Sequence, residues 1–284
     1  MRRTVLVAGA TGKQGGAVVR ALLEQPQEWQ VRGLTRKPDS PKAKALAARG
    51  VEIVGGDMAD AAALTKAFSG ADAAFSVQDF RAAGLAGEVS QGTNFADAAK
   101  ASGVQQLVYS SVGGADRHSG VPHFETKWQI EEHIRAIGIP ASILRPTSFM
   151  EGFGGPAMVR YLALGMFAGA FPLEQPLQMI ATRDIGILAR IMLAQPDEYV
   201  GQAIEVAGDE LTFPEIVETI RRATGQRRVR YLRIPGSLTR RMGDAGKLMT
   251  WLAEHGYRAD IPAVRKLHPG LLTLEDWLRG EGAG

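Results

Sequence analysis

The chain has 284 residues, is 45% apolar and 22% charged, and carries 33 Lys and Arg against 30 Asp and Glu, a net charge of +3. Those proportions argue against disordered, collagenous and coiled-coil classes, and a chain this long buries roughly 75% of its unfolded surface without needing crosslinks. The absence of cysteine excludes disulfides, thiolate metal sites and a cysteine nucleophile, and the small positive excess makes no case for nucleic acid as a partner.

The chain opens MRRTVLVAGATG, two arginines and then an apolar run, which imitates a signal peptide. The run over 5–8 is too short for that purpose and a glycine turn follows it, so it reads as a buried first strand. The longest apolar stretch, YLALGMFAGAFPL at 161–173, falls short of the roughly 20 residues a membrane span needs. A soluble, cytoplasmic protein with no membrane partner is expected.

Up to about residue 150 short apolar runs alternate with helical stretches. The predicted strands are 4–8, 30–34, 51–54, 73–77, 105–109 and 140–144, and the predicted helices 13–24, 41–48, 60–68, 85–102 and 124–137. In the last helix Ile130, Ile134 and Ile137 make one apolar face. The strands are continuously apolar, as in a parallel sheet covered on both sides, and the alternation implies right-handed crossovers. The fold class expected is α/β, a Rossmann-type doubly wound parallel sheet over 1–150. A smaller α/β C-terminal lobe for substrate or partner is expected over 151–284. The lobe reads as irregular: 151–180 is rich in Gly, Met, Phe and Pro, followed by a helix near 183–194, a strand near 202–207, a helix near 213–223, a strand near 228–233 and short helices to the end.

The strongest signal is AGATGKQGG at 8–16, with glycines spaced G-x-x-G-x-x-G after a strand and before a helix. A pyrophosphate needs a tight turn, close backbone approach and the unpaired N–H groups of a helix start, and side chains at Gly9, Gly12 or Gly15 would block these. Lys13 does not make this a Walker loop, because the G-K-[ST] ending is missing. Where an NAD site usually offers an acid for the ribose, this chain offers Thr35-Arg36-Lys37-Pro38. A guanidinium grips a phosphate bidentately, so Arg36 and Lys37 point to NADP(H) in preference to NAD(H). Asp57 and Met58 close the third strand, where they either border the adenine or serve a local capping role.

These blocks, with GVQQLVYSSVGGA at 103–115, PHFETKWQIEEHI at 122–134, LRPTSFMEGF at 144–153, ATRDIG at 181–186 and VAGDELTFPEI at 206–216, resemble the NmrA-like family of atypical short-chain dehydrogenases/reductases. The resemblance covers most of the chain. It implies that Gly9, Thr11, Gly12, Lys13, Gln14 and Gly15 line the pyrophosphate and that Arg36 and Lys37 meet the 2′-phosphate. It also implies Val77 and Gln78 near the ribose, and Thr147, Ser148, Phe149 and Met150 near the nicotinamide.

Reductases of this kind carry Tyr-x-x-x-Lys, with a serine about a dozen residues upstream. Here the stretch is His123-Phe124-Glu125-Thr126-Lys127, so the lysine is kept and the tyrosine is histidine; Ser110 and Ser111 precede His123 by 13 and 12 residues. Three roles stay open for the catalytic candidates Lys127, His123 and Ser110. Lys127 serves only the ribose, or His123 replaces tyrosine as proton donor, or another group or water gives the proton. Two functions follow: a nucleotide-responsive regulator or redox sensor without the usual tyrosine, or an NAD(P)H-dependent reductase of a small carbonyl or quinone-type acceptor.

No histidine pair has metal-ligand spacing and no hydrolase elbow is present, so no metal is expected. The Met- and Phe-rich stretch containing Met150, Phe153, Met158, Tyr161, Met166, Phe167 and Phe171 reads equally as an apolar wall or lid over the nicotinamide, where a small apolar substrate would sit, or as core or an oligomer surface. Six arginines over 221–233 mark either a solvated face or a patch for an acidic protein partner or nucleic acid; Tyr231 is the single aromatic among them, which gives base stacking little support.

Overall fold

A computed structural model describes residues 2–154, 157–239 and 241–280. Among the described residues ten strands form two sheets: β1 (Arg3–Val7), β2 (Trp29–Thr35), β3 (Glu52–Gly55), β4 (Ala73–Ser76), β5 (Gln106–Ser110), β6 (Ala141–Pro146), β7 (Ser148–Phe149), β8 (Leu177–Ile180), β9 (Ala203–Val206) and β10 (Asp209–Leu211). The larger sheet has the order β3-β2-β1-β4-β5-β6-β9, and the pairings from β3 through β6 are parallel. The first six strands therefore take the doubly wound order, whose direction reverses between β1 and β4. Ala8 N–H donates to the Phe75 carbonyl at 2.9 Å there, joining the two strands at the carboxyl ends that frame the crevice.

The helices between them are α1 (Lys13–Leu23), α2 (Pro41–Ala47), α3 (Ala61–Phe68), α4 (Phe80–Ala101) and α5 (Pro122–Ile137). Local chemistry sets their starts. Ser40 caps α2 with Pro41 in its first turn, and the Asp60 carboxylate accepts from Ala62 and Ala63 at the head of α3. The expected helix from 85 begins earlier, at Phe80, where Asp79 caps a first turn that a kink at Gly84, with φ 74°, joins to the rest of α4. After β7 come α6 (Ala157–Ala170), α7 (Thr182–Ala194), α8 (Pro196–Tyr199), α9 (Phe213–Thr224), α10 (Gly236–Thr239), α11 (Gly243–Glu254), α12 (Ile261–Leu267) and α13 (Leu274–Gly280).

The chain forms two compact units. The first comprises 1–111, 125–145 and 185–204; the second comprises 112–124, 146–184 and 205–284. The segments 112–124, 146–150 and 185–204 thus fall on the other side from where a single cut at residue 150 puts them. The core of the first unit gathers Leu6, Leu64, Phe68, Phe95, Leu107, Tyr109, Ile130 and Ile134 around the sheet. The second unit packs Phe124, Met150, Phe153, Phe213, Trp251 and Trp277 together, beside the small sheet β10-β8-β7.

Two expectations for the second unit need correction. Residues 151–180 are not irregular throughout, since they carry α6 and β8. Residues 228–233 form no strand; Val229, Tyr231 and Arg233 alternate as a strand would, but the segment carries no regular structure and its end lies against α6, where Ile234 N–H donates to the Gly165 carbonyl at 3.0 Å. Side chains at Gly165 and Gly169 would run into the Leu232 and Ile234 carbonyls, so the glycines of α6 permit this close approach. Among the described residues no helix is long and apolar enough to cross a membrane.

Candidate functional site

In the first unit the glycine turn has the form its spacing requires. Gly9 adopts φ +60°, a conformation that favours glycine, and Gly12 N–H closes the turn on the Gly9 carbonyl at 2.8 Å. A Cβ at Gly15 would collide with the Gly9 and Ala8 carbonyls, and one at Gly12 would lie 3.1 Å from the Gly9 oxygen. Gly12 caps α1 with no side chain, and no acid occupies the first turn. The amides at this helix start are thereby left for an anion. Thr11 and Gln14 are half-buried beside the turn, and Gly12 and Lys13 are exposed. Val77 Cγ1 would sit 3.4 Å from a Cβ at Gly9, so the end of β4 packs against the turn.

Arg36 and Lys37 follow β2 directly and are exposed. Neither forms an ion pair with a described residue, which leaves both cations available to a phosphate. The Asp57 carboxylate accepts from Ala59 N–H at 2.9 Å, and Asp60 caps α3. Met58 faces Gln78, whose amide nitrogen lies 3.6 Å from the Met58 sulfur and donates to Ser76 Oγ at 2.9 Å. Asn94 Nδ2 donates to the Met58 carbonyl at 3.3 Å. Gln78 is buried, yet its side-chain oxygen has no hydrogen-bond partner among the described residues. An unpaired buried acceptor costs free energy, which suits a ligand donor at this point.

Of the catalytic candidates, Ser110 and Lys127 belong to the first unit and His123 to the second. Ser110 is fully buried and its hydroxyl donates to Gln14 Oε1 at 2.7 Å. Ser111, also buried, has a hydroxyl with no partner among the described residues. Lys127 Nζ lies 3.1 Å from Glu88 Oε1 on α4 and 3.5 Å from the Gln78 carbonyl. Thr126 Oγ1 donates to the other Glu88 oxygen at 2.5 Å. A second buried carboxylate, Glu131, accepts from Arg145 Nε at 3.0 Å and Arg145 Nη2 at 2.7 Å. Tyr109 is fully buried, its hydroxyl is unpaired among the described residues, and burial together with Glu88 and Glu131 pushes its phenol well up. Glu88, Thr126 and Asn94 were not legible as site residues in the sequence. Glu88 alone left a signal, as the sole acid on the buried stripe of α4.

In the second unit His123 lies near the start of α5, its ring edge-on to Phe124 with centroids 4.9 Å apart, and Phe124 meets Trp251 in the same manner at 5.1 Å. Thr147 is buried with its hydroxyl on the Val206 carbonyl at 3.2 Å. Ser148 and Phe149 form β7, paired with Met179 and Ile180. Met150, Phe153 and Phe171 belong to the core, whereas Tyr161, Met166 and Phe167 are half-buried; the Met158 side chain lies outside the described residues. Of the six arginines, Arg221 pairs with Glu218 and Arg222 with Glu275, while Arg227, Arg228, Arg230 and Arg233 are exposed. His268 Nε2 lies 3.1 Å from Asp184, and in the first unit His133 lies 2.7 Å from Asp97. No group of three candidate metal ligands occurs among the described residues.

The family model described as "NmrA-like family" matches residues 1–278. The chain is 32% identical over 255 residues to the NmrA-like family domain-containing oxidoreductase cpsB of Aspergillus campestris, a match covering 81% of this chain and 75% of that protein. It is 30% identical over 326 residues to the NmrA-like family domain-containing oxidoreductase lnbB of Aspergillus flavus, covering 98% of this chain and 97% of that one. Its fold is similar to that of NmrA, described as a negative transcriptional regulator, with TM-score 0.81 at 21% identity, covering 100% of this chain and 96% of NmrA. It is also similar to the NADPH-dependent quinone oxidoreductase QOR2 of Escherichia coli, with TM-score 0.77 at 24% identity, covering 96% of this chain and 98% of QOR2. A Rossmann-type sheet carrying a glycine turn, matched by the family model along nearly its whole length, makes this chain a member of the NmrA-like family.

Proposed function

We propose that the chain binds NADP(H) on its first unit and reduces a small apolar acceptor of the quinone type. The observation that carries the reading is the glycine turn: Gly15 admits no side chain, Gly9 takes a positive φ, and the start of α1 has no side-chain cap. In this reading Gly9, Thr11, Gly12, Lys13, Gln14 and Gly15 hold the pyrophosphate. Arg36 and Lys37 grip the 2′-phosphate and give the preference for NADP(H) over NAD(H). Met58 and Asp57 border the adenine half. Val77, Gln78 and Lys127 serve the other half, with the unpaired Gln78 oxygen accepting from the ligand.

Bound there, NADPH supplies a hydride. The chain offers no phenol in the tyrosine position and commits Ser110 to Gln14, so a protein acid of the usual kind is lacking. A quinone suits such a site. Taking a hydride leaves a hydroquinone anion, a far weaker base than an alkoxide, which collects its proton from water. The names of the relatives at 30–32% identity, all oxidoreductases, support the same class. A second reading, a nucleotide-responsive regulator, is favoured by His123 standing where reductases carry tyrosine. A ligand shifts a partner equilibrium only through differential affinity for two states, so a regulator needs no turnover.

The test is absorbance loss of NADPH with a panel of quinones, enones and ketones. Turnover with quinones, lost in Lys127→Met, is the expected result. Tight NADPH binding with no turnover across the panel contradicts the reductase and favours the regulator.

A further inference from the structure

Glu88 is the sole charged residue on the buried stripe of α4, which otherwise holds Gly92, Phe95, Ala96, Ala98 and Ala99. Its place follows from glycines on either side. Gly84 breaks the helix with φ 74° and resets the register four residues before Glu88. At Gly92 a Cβ would stand 2.5, 2.7 and 2.9 Å from atoms of Ile130, so α4 and α5 touch closely there. One turn earlier on each helix, Glu88 meets Thr126 and Lys127.

The contact fixes both ends of the lysine. Glu88 Oε1 lies 3.1 Å from Nζ, with side-chain exposures of 0% and 10%, and Thr126 holds Oε2 at 2.5 Å. Nζ then reaches the Gln78 carbonyl at 3.5 Å, just past the carboxyl end of β4. In a doubly wound sheet that end belongs to the second mononucleotide half of the crevice. A buried ammonium without a counter-charge is strongly disfavoured, so the carboxylate keeps the lysine inside and directed to this rim.

We propose that Glu88 is a positioning residue for Lys127 and the counter-charge that sets how the first unit discriminates oxidised from reduced nicotinamide coenzyme. This rests on the dinucleotide reading above. The oxidised ring carries a positive charge that the reduced ring lacks. The Glu88–Lys127 pair carries no net charge and acts on that charge only as a dipole; either member alone acts as a full charge. Contacts common to both coenzyme forms cancel in the ratio of their affinities, so the ratio reports this charge and not general damage.

The experiment is calorimetric titration of NADP+ and NADPH into wild type, Glu88→Gln, Lys127→Met and the double variant. Glu88→Gln leaves the ammonium unbalanced and weakens NADP+ relative to NADPH by on the order of tenfold; Lys127→Met shifts the ratio the opposite way by a similar factor. The double variant returns close to the wild-type ratio. Unchanged ratios, or shifts of one sign in both single variants, overturn the proposal. Should Glu88→Gln not fold, the double variant is compared with Lys127→Met: a return toward wild type supports the proposal and an unchanged ratio overturns it. A wild type that binds neither coenzyme overturns the dinucleotide reading itself, and does so in the first titration.

Discussion

The hydroxyl of Ser110 donates to the side-chain oxygen of Gln14 at 2.7 Å, tying the end of β5 to the glycine turn. The serine upstream of the lysine motif is thereby joined to the turn, and the neighbouring Ser111 hydroxyl remains unpaired among the described residues. Ser110→Ala therefore removes a buried bond and releases Gln14. A stability loss of about 1 kcal/mol is expected, with several-fold weaker coenzyme binding, measured by thermal unfolding and calorimetry. Ser111→Ala is expected to leave coenzyme affinity unchanged. The reverse ranking would show that Ser110 is not the positioning group.

Gly15 and Gly12 form a graded pair. A methyl at Gly15 meets two fixed backbone oxygens, whereas one at Gly12 meets a single oxygen at 3.1 Å. Gly15→Ala is expected to destabilise by about 1–3 kcal/mol and to abolish coenzyme binding, with Gly12→Ala milder in stability. Equal melting temperatures for the two variants would contradict the close packing of α1 on the turn.

The proposed preference for NADP(H) rests on Arg36. Arg36→Ala is expected to lower NADPH affinity by about 1.5–3 kcal/mol, the strength of a hydrogen bond to a charged group, and to leave NADH affinity nearly unchanged. Parallel titrations of the two coenzymes check it. Equal losses for both would assign Arg36 a general role and leave the 2′-phosphate without a partner.

Tyr109 gives a pH prediction. Burial and the two nearby carboxylates raise the phenol above its ordinary value, so above about pH 10 the unfolded chain ionises first. The folded state then binds more protons than the unfolded one, and stability falls as pH rises through that range. Tyr109→Phe keeps the ring and removes an unpaired buried hydroxyl. It is expected to be neutral or stabilising by about 1 kcal/mol at pH 7 and to reduce the alkaline loss. Urea unfolding at pH 7 and pH 10.5 decides; a loss of more than ~1 kcal/mol at pH 7 would show that the hydroxyl has a partner after all.

How far the sequence discloses this molecule depends on how local each feature is. The glycine turn, the β1-to-α1 unit and the alternation up to β6 were legible because chain neighbours specify them. The turn alone names Gly9, Gly12 and Gly15. α6 was not, because Gly165 and Gly169 give it a loop-like composition, and their reason is a segment more than sixty residues away. The same segment mimicked a strand at 228–233, since period-two alternation marks extended chain and cannot say whether a sheet edge awaits it. Lys127 was legible from its motif, but its partner was not: Glu88 lies 39 residues earlier, and only the position of an acid on an Ala- and Gly-rich buried stripe hinted at it. The Thr147–Met150 run divided, with Met150 in the core of the second unit and Thr147 tied to Val206, which only packing could reveal.

Coenzyme binding is the claim on which the rest depends, and isothermal titration of the purified chain with NADPH and NADH measures it directly. One saturable site per chain, with NADPH tighter than NADH, is the predicted result. No saturable heat from either coenzyme at millimolar concentration would contradict it.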